Sequence, residues 1–279
     1  MCAEASRPYG AKVSTILILL LAGCATGVTT VLFGFGGGFV TVPVVYAVSA
    51  ATSTAEAMHV AVATSTAVMI VNAVIATVAH ARAGLVRREY LCPLGGFIAI
   101  GAIGGVLAAG SVSDRTLRLL FVMYLAVAIA DIYLRRGFLT RTPGEVRPAT
   151  LGRTTSMVGG LGIGAVAAFL GVGGSVVTVP LLRRRGLTMA EATALANPLS
   201  VPVAVVATAM YSLATPVGSS AGAVGHVDVV AAAALLAGSL PAIAGTKRSL
   251  VKISDRAHAI GYPLLLIVVL IAMSATIIG

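Results

Sequence analysis

The sequence is poor in charge. Only 10% of its residues are Asp, Glu, Lys or Arg, where a soluble domain carries roughly 25%. So few charges cannot clothe a water-facing surface, which excludes an ordinary soluble domain. Cysteine is scarce as well. Cys2, Cys24 and Cys92 stand apart, with neither a CxxC pair nor metal-ligand spacing, which excludes a disulfide framework. Strict period-2 alternation is missing, which argues against a lipid-facing barrel. No GxxxxGK(S/T) run is present to cradle a nucleotide. The net charge of +10 invites a nucleic-acid partner. The basic residues, however, fall in short clusters between apolar runs, with no aromatic stacking platform beside them, and no nucleic-acid contact is expected. The sequence calls for no cofactor and no metal ion.

What fills the chain is apolar. Of its residues 58% are hydrophobic, and the mean hydropathy is +1.02. Several runs approach the ~20 residues that cross a bilayer as helix. Abundant alanine and glycine suit helices that pack through small residues. The expected fold is all-α: a polytopic helical membrane protein, multi-pass in the cell (inner) membrane, with the lipid bilayer as its solvent. The apolar segments are 13–33, 39–50, 58–79, 91–110 and 117–134, then 154–170, 176–182, 191–213, 229–245 and 257–278. Residues 135–153 are polar and arginine-bearing and read as a linker between a first transmembrane unit (1–134) and a second (154–279). Leu21-Ala-Gly-Cys24 spells a lipoprotein-like cleavage site, but cutting there would delete a segment that has a counterpart in the second unit.

The two units are related. Gly34-Phe-Gly-Gly-Gly-Phe-Val-Thr-Val-Pro43-Val-Val45 aligns with Gly171-Val-Gly-Gly-Ser-Val-Val-Thr-Val-Pro180-Leu-Leu182. Seven of twelve positions are identical at an offset of 171 − 34 = 137. Ala55-Glu-Ala57 and Ser113-Asp-Arg115 recur in the same order as Ala190-Glu-Ala192 and Ser254-Asp-Arg256. Ser53-x-x-Glu56 and Thr188-x-x-Glu191 read as capping boxes, and Ser-Asp-Arg as a helix-opening signal.

Basic residues test the topology. Four simple crossings per half, with the N-terminus inside, divide the nineteen ten to nine, which is no bias. If each glycine break is instead the tip of a re-entrant hairpin, each half crosses three times and the halves are inverted. With the N-terminus outside, fifteen basic residues then lie inside and four outside, the asymmetry that membrane insertion favours.

Irregular backbone inside a membrane must be buried in protein or line a wet cavity. The breaks Gly34, Gly36, Gly37, Gly38 and Gly171, Gly173, Gly174, Ser175 are irregular by composition, and a short helix follows each. Its first N–H groups lack intrahelical partners and carry the positive end of the helix dipole, so a small anion is the expected ligand. Thr41 and Thr178 are candidate hydroxyl donors one turn in. Pro43 and Pro180 suit an early helical position, where a missing N–H costs little. Ser65 and Asn72 of the third run, with Asn197 and Ser200 of its counterpart, either complete this substrate-binding set or hydrogen-bond between helices, as do Thr64 and Thr66. Pro198 and Pro202 are expected to kink their helix. Asp131 is expected to pair with Arg135 four residues on. His59, His80, His226 and His258 sit near segment ends, and none stands out as a ligand.

At the two breaks the sequence resembles the TauE/SafE sulfite exporter family, whose signature is likewise duplicated. The resemblance covers nearly the whole chain. It implies a multi-pass transporter exporting sulfite or an organosulfur anion such as a sulfonate. The second copy departs from triple glycine at Ser175. An anion channel of the same fold is the nearest alternative. An intramembrane hydrolase with Ser175 as nucleophile is a remote one, since no histidine is placed to act as its base and an enzyme is not expected. Nothing in the sequence specifies a homo-oligomer or forbids one.

Overall fold

The structure is a computed structural model and describes residues 9–52, 56–86, 91–92, 94–135, 138, 152–215, 222–246 and 254–278. Among these it has ten helices: α1 (Tyr9–Phe33), α2 (Gly38–Ala51), α3 (Ala57–Arg82), α4 (Leu94–Gly110), α5 (Asp114–Leu134), α6 (Arg153–Leu170), α7 (Ser175–Arg184), α8 (Met189–Leu213), α9 (Val229–Thr246) and α10 (Asp255–Ile278). Each corresponds to one apolar segment. A two-residue hairpin, β1 (Ala223–Val224) with β2 (Val227–Asp228), joins α8 to α9 and was not foreseen. Most of the 135–153 linker lies outside the described residues, and Arg153 already opens α6.

Six of the helices (α1, α3, α5, α8, α9 and α10) are long and apolar enough to cross a membrane. The others are short or glycine-interrupted. Leu17, Leu21, Leu107, Val127, Val158 and Ile271 are more than half exposed on the outer face. In water such a belt would aggregate; against lipid it is the expected surface.

Capping signals set several helix starts. Thr188 and Glu191 form a reciprocal capping box at α8, and the Ser113 and Ser254 hydroxyls accept from the N–H groups of Thr116 and Ala257. In the first copy, Ser53 lies outside the described residues. Glu56 itself occupies the cap position of α3, and its carboxylate meets His226 Nε2 at 3.2 Å. Pro43 and Pro180 are each the sixth residue of their helix. That is past the four N–H groups left free at a helix start, so each proline removes a helical hydrogen bond, and the low-cost position expected from sequence is corrected. α8 continues as helix through Pro198 and Pro202.

The helices interleave across the halves. α1 packs on α9 and α4 on α6, while α3 packs on α8 and α5 on α10. Gly23 faces the backbone of Leu235 and Gly27 that of Ser239, so α1 and α9 run in the same direction. Gly101 faces Leu161 and Gly105 faces Ala165, which makes α4 and α6 parallel too. The Leu21–Cys24 stretch therefore lies mid-helix, with its glycine at a helix contact. α3 and α8 run oppositely, since Thr66 meets Thr208 while His80, further along α3, meets Asn197, earlier on α8.

The repeated Ser-Asp-Arg motif has a second use. Asp114 Oδ1 accepts from the N–H of Met58 at 2.6 Å, and Asp255 Oδ1 accepts from the N–H of Met189 at 2.7 Å. Each aspartate opens its own helix and also satisfies the start of the long helix beside it, where a negative charge is favourable.

Candidate functional site at the paired glycine breaks

Residues 34–38 and 171–175 are all buried. The backbone turns where glycine permits it: φ is +73° at Gly34, +63° at Gly36 and +98° at Gly37, then +68° at both Gly171 and Gly173. A larger residue there would be strained. The chain then enters α2 at Gly38 and α7 at Ser175.

The two breaks meet. A side chain on Gly38 would strike the Gly171 carbonyl oxygen and reach the Val172 backbone at 3.4 Å. Gly36 and Gly173 approach the same pair of side chains from the two breaks. Met69 Cγ and Ser200 Cβ lie 2.8 and 3.4 Å from the position of a Gly36 side chain, and Met69 Sδ and Ser200 Oγ lie 2.8 and 3.0 Å from that of Gly173. Gly37 faces Asn72 Nδ2 at 2.7 Å and Thr26 Cγ2 at 3.0 Å. Gly34 packs on Thr193 and Ala196 of α8.

The polar side chains divide into occupied and free. Ser65 Oγ lies 2.8 Å from the Gly171 carbonyl and 2.7 Å from that of Val62, to which its one proton is shared. Ser200 donates to the Ala196 carbonyl at 2.9 Å. Thr41 donates to the Gly37 carbonyl at 2.7 Å and Thr178 to the Gly174 carbonyl at 3.0 Å, so both hydroxyl protons hold the break itself. Asn197 Nδ2 donates to the Thr30 carbonyl at 3.2 Å, beside His80 Nδ1 at 3.4 Å, and ties α8 to α1 and α3. Asn72 Nδ2, Asn197 Oδ1 and Ser175 Oγ are buried with no hydrogen-bond partner, an uncommon and costly state. Among the described residues no base lies within hydrogen-bond reach of Ser175 Oγ.

The atoms nearest the break glycines belong to no charged side chain. The charges cluster at helix ends instead. Arg183, 3% exposed, bonds Asp255 at 2.5 and 2.9 Å and the Phe138 carbonyl at 3.2 Å. Asp131 pairs with Arg135 at 3.1 Å, as its spacing predicts, and also with Arg184 at 2.7 Å. His59 meets Asp114 at 3.3 Å. Two apolar grooves of about 420 and 510 Å³ lie among the outer helices, and no residue of either break lines them.

Sequence reasoning missed three residues here. Met69 lies between the breaks. Thr26 and Ser239, both fully buried, sit in runs that otherwise look like lipid-facing helix. Thr26 is one residue before Gly27, and Ser239 one after Gly238. Both glycines press on the neighbouring helix, so a hydroxyl beside a packing glycine was the available signal.

Ten helices among the described residues, six of them capable of spanning, with an apolar outer belt and two buried glycine breaks, define a multi-pass membrane protein of transporter type. The chain belongs to the sulfite exporter TauE/SafE family, whose model matches residues 19–275. It is similar to a probable membrane transporter protein of Haemophilus influenzae, 27% identical over 182 residues, or 63% of this chain and 66% of that protein. It is similar also to a probable membrane transporter protein of Xylella fastidiosa, 29% identical over 176 residues, or 61% of this chain and 63% of that protein. The chain thus aligns with just under two thirds of the length of these relatives. No solved structure matches it.

Proposed function

We propose that the protein is a secondary transporter exporting a small oxyanion, with sulfite or a small sulfonate as its substrate class, through the site where the two breaks meet. The observation that carries this reading is the pairing itself. Two buried, left-handed glycine turns touch, each opens a short helix, and no charged side chain is among the nearest atoms. Free N–H groups at helix starts then supply the positive potential an anion needs. Half-helix ends facing a central site are how inverted-repeat transporters hold substrate. The opposed directions of α3 and α8, with the parallel α1–α9 and α4–α6 pairs, support halves that are inverted, and the fifteen-to-four division of basic residues supports the N-terminus outside. A site of backbone dipoles holds a monoanion without a fixed countercharge, so it releases it readily and tolerates related anions. Met69 and Ser200, facing both breaks, would form its floor.

The test is flux in proteoliposomes with sulfite, sulfate, a small sulfonate and a small carboxylate, with and without a pH gradient. Saturable flux selective for sulfite or the sulfonate is expected. Gly37→Leu and Gly174→Leu, in protein that still elutes as folded, are each expected to lower it at least tenfold. Wild-type flux in both variants would remove the breaks from the pathway, and no flux of any of the four anions by folded wild-type protein would remove the anion.

A further inference from the structure

The two breaks share a sequence but not their surroundings. At an offset of 163 − 26 = 137, Thr26 beside Gly37 corresponds to Ile163 beside Gly174. The matched atoms make the matched contact, Thr26 Cγ2 at 3.0 Å from a Gly37 side chain and Ile163 Cγ2 at 2.7 Å from a Gly174 side chain. At the offset that pairs Ser65 with Ser200 (200 − 65 = 135), Asn72 corresponds to Ala207. The helix packing supplies the third pair. Gly27 presses on Ser239, and its counterpart Gly164 presses on Ile98. Thr26 and Asn72 thus lie against the first break with Ser239 behind Asn72, whereas their counterparts are all apolar: Ile163, which lies against the second break, Ala207 and Ile98. All six are at most 4% exposed.

The trio is also aimed. Ser239 Oγ donates to Asn72 Oδ1 at 2.8 Å, which turns Nδ2 toward Gly37, 2.7 Å from where a side chain would begin. There the amide meets the start of α2, a helix of 14 residues. Asn72 Nδ2 has no partner of its own. Thr41, one turn into α2, has Thr26 Oγ1 at 3.5 Å while its own proton goes to the Gly37 carbonyl. An oriented amide donor, buried and unpartnered beside the N–H groups of a helix start, is a donor that lacks its acceptor. At the second break the Ser65, Ser200 and Thr178 hydroxyls already donate to carbonyls, and Ser175 Oγ has no partner to orient it.

We infer that the protein binds one anion, not two, and that it does so at the first break, with Asn72 Nδ2 and the start of α2 as donors to the oxyanion and Ser239 as the residue that positions Asn72. This rests on the anion reading above and narrows it. The second break would serve as a packing partner that completes the turn, since the Ser65 and Ser200 hydroxyls beside it already donate to carbonyls. The ligand class is a compact oxyanion with at least two acceptor oxygens, one for the amide and one for the N–H groups at the start of α2.

The test is radiolabelled sulfite flux in proteoliposomes, with each variant first shown to elute from detergent size exclusion as wild type does. Asn72→Asp keeps the size and the acceptor for Ser239 but replaces the donor by an acceptor that is negative when ionised. It is expected to lose at least tenfold in flux, because like charges at contact distance repel strongly away from water. Ser239→Ala removes the hydrogen bond that orients Asn72 and decides the matter if Asn72→Asp does not fold; a loss of threefold or more is expected. Ile163→Val and Ala207→Ser, the matching changes at the second break, are expected to stay within twofold. Wild-type flux in Asn72→Asp, or in Ser239→Ala where that variant decides, would overturn the assignment while leaving the transporter reading intact. So would losses in Ile163→Val and Ala207→Ser as large as that in Asn72→Asp. Absence of sulfite and sulfonate flux in the wild type would instead remove the reading itself, and the assignment with it.

Discussion

Asp255→Ala is expected to be the most damaging single exchange outside the helix contacts, destabilising the protein by about 3–5 kcal/mol. The reason is what it leaves behind. Arg183 is 3% exposed, and its guanidinium is held by Asp255 at 2.5 and 2.9 Å. With the carboxylate gone, the buried guanidinium loses the negative charge of Asp255, and the Phe138 carbonyl at 3.2 Å is a neutral acceptor. Met189 N–H loses its acceptor as well. The repeat supplies an internal control. Asp114 does the same work at the start of α3, accepting from Met58 and His59 N–H at 2.6 and 3.2 Å, but its side-chain partner is His59 and not an arginine. Losing hydrogen bonds alone costs about 1–3 kcal/mol, so Asp114→Ala should lower the apparent melting temperature in detergent by half as much or less. The double variant Arg183→Met, Asp255→Ala should recover much of the loss, because removing both members of a buried pair removes the desolvation cost together with the attraction. Equal shifts in the two single variants would show that the buried guanidinium is not the source of the cost.

This asymmetry marks where the sequence stopped being readable. The ten helices were legible because glycine, proline or charge bounds each apolar run, and the capping box at Thr188 has a fixed spacing that needs no tertiary knowledge. The breaks were legible because they occur twice. Arg183 and Asp255 lie 72 residues apart, and nothing local joins them. The rotation of each helix was hidden for a physical reason. In a soluble protein the buried face is apolar and the outer face polar, so a 3.6-residue period appears in the sequence. Here lipid and core are both apolar, and that contrast is lost. Leu107 faces lipid and Val106 the core, with nothing in their chemistry to tell them apart. Thr26 and Ser239 were overlooked on the same account. So was the hairpin at 223–228, too short for any periodicity.

Glycine carries the rotation that hydropathy does not, and this leads to the largest expected effect. Gly105→Leu should abolish the folded protein, whereas Gly104→Leu, one residue earlier, should leave its yield and elution unchanged. A side chain on Gly105 would run into the Ala165 backbone, at 2.9 Å from its carbonyl carbon and closer still to its oxygen. Gly101 meets Leu161 and Gly164 meets Ile98 in the same manner, so α4 and α6 touch backbone to backbone along their length. There is no side chain to yield; the helices themselves must part. Overpacking a buried contact costs typically 1–3 kcal/mol when neighbours can shift, and here the cost is higher because the contact is main chain on main chain. Parting α4 from α6 also disturbs α8, which packs on α4 and carries Ser200 to the breaks. Gly104 points outward with nothing within 4 Å, and so does Gly162 on α6; a leucine at either adds one more apolar group to the lipid-facing surface. The measurement is the ratio of monodisperse to aggregated protein after detergent extraction for the four variants Gly104→Leu, Gly105→Leu, Gly162→Leu and Gly164→Leu. Loss confined to Gly105 and Gly164 supports the close α4–α6 contact. Similar losses in all four would mean that glycine is needed there for some property of the single helix and not for close approach of α4 to α6.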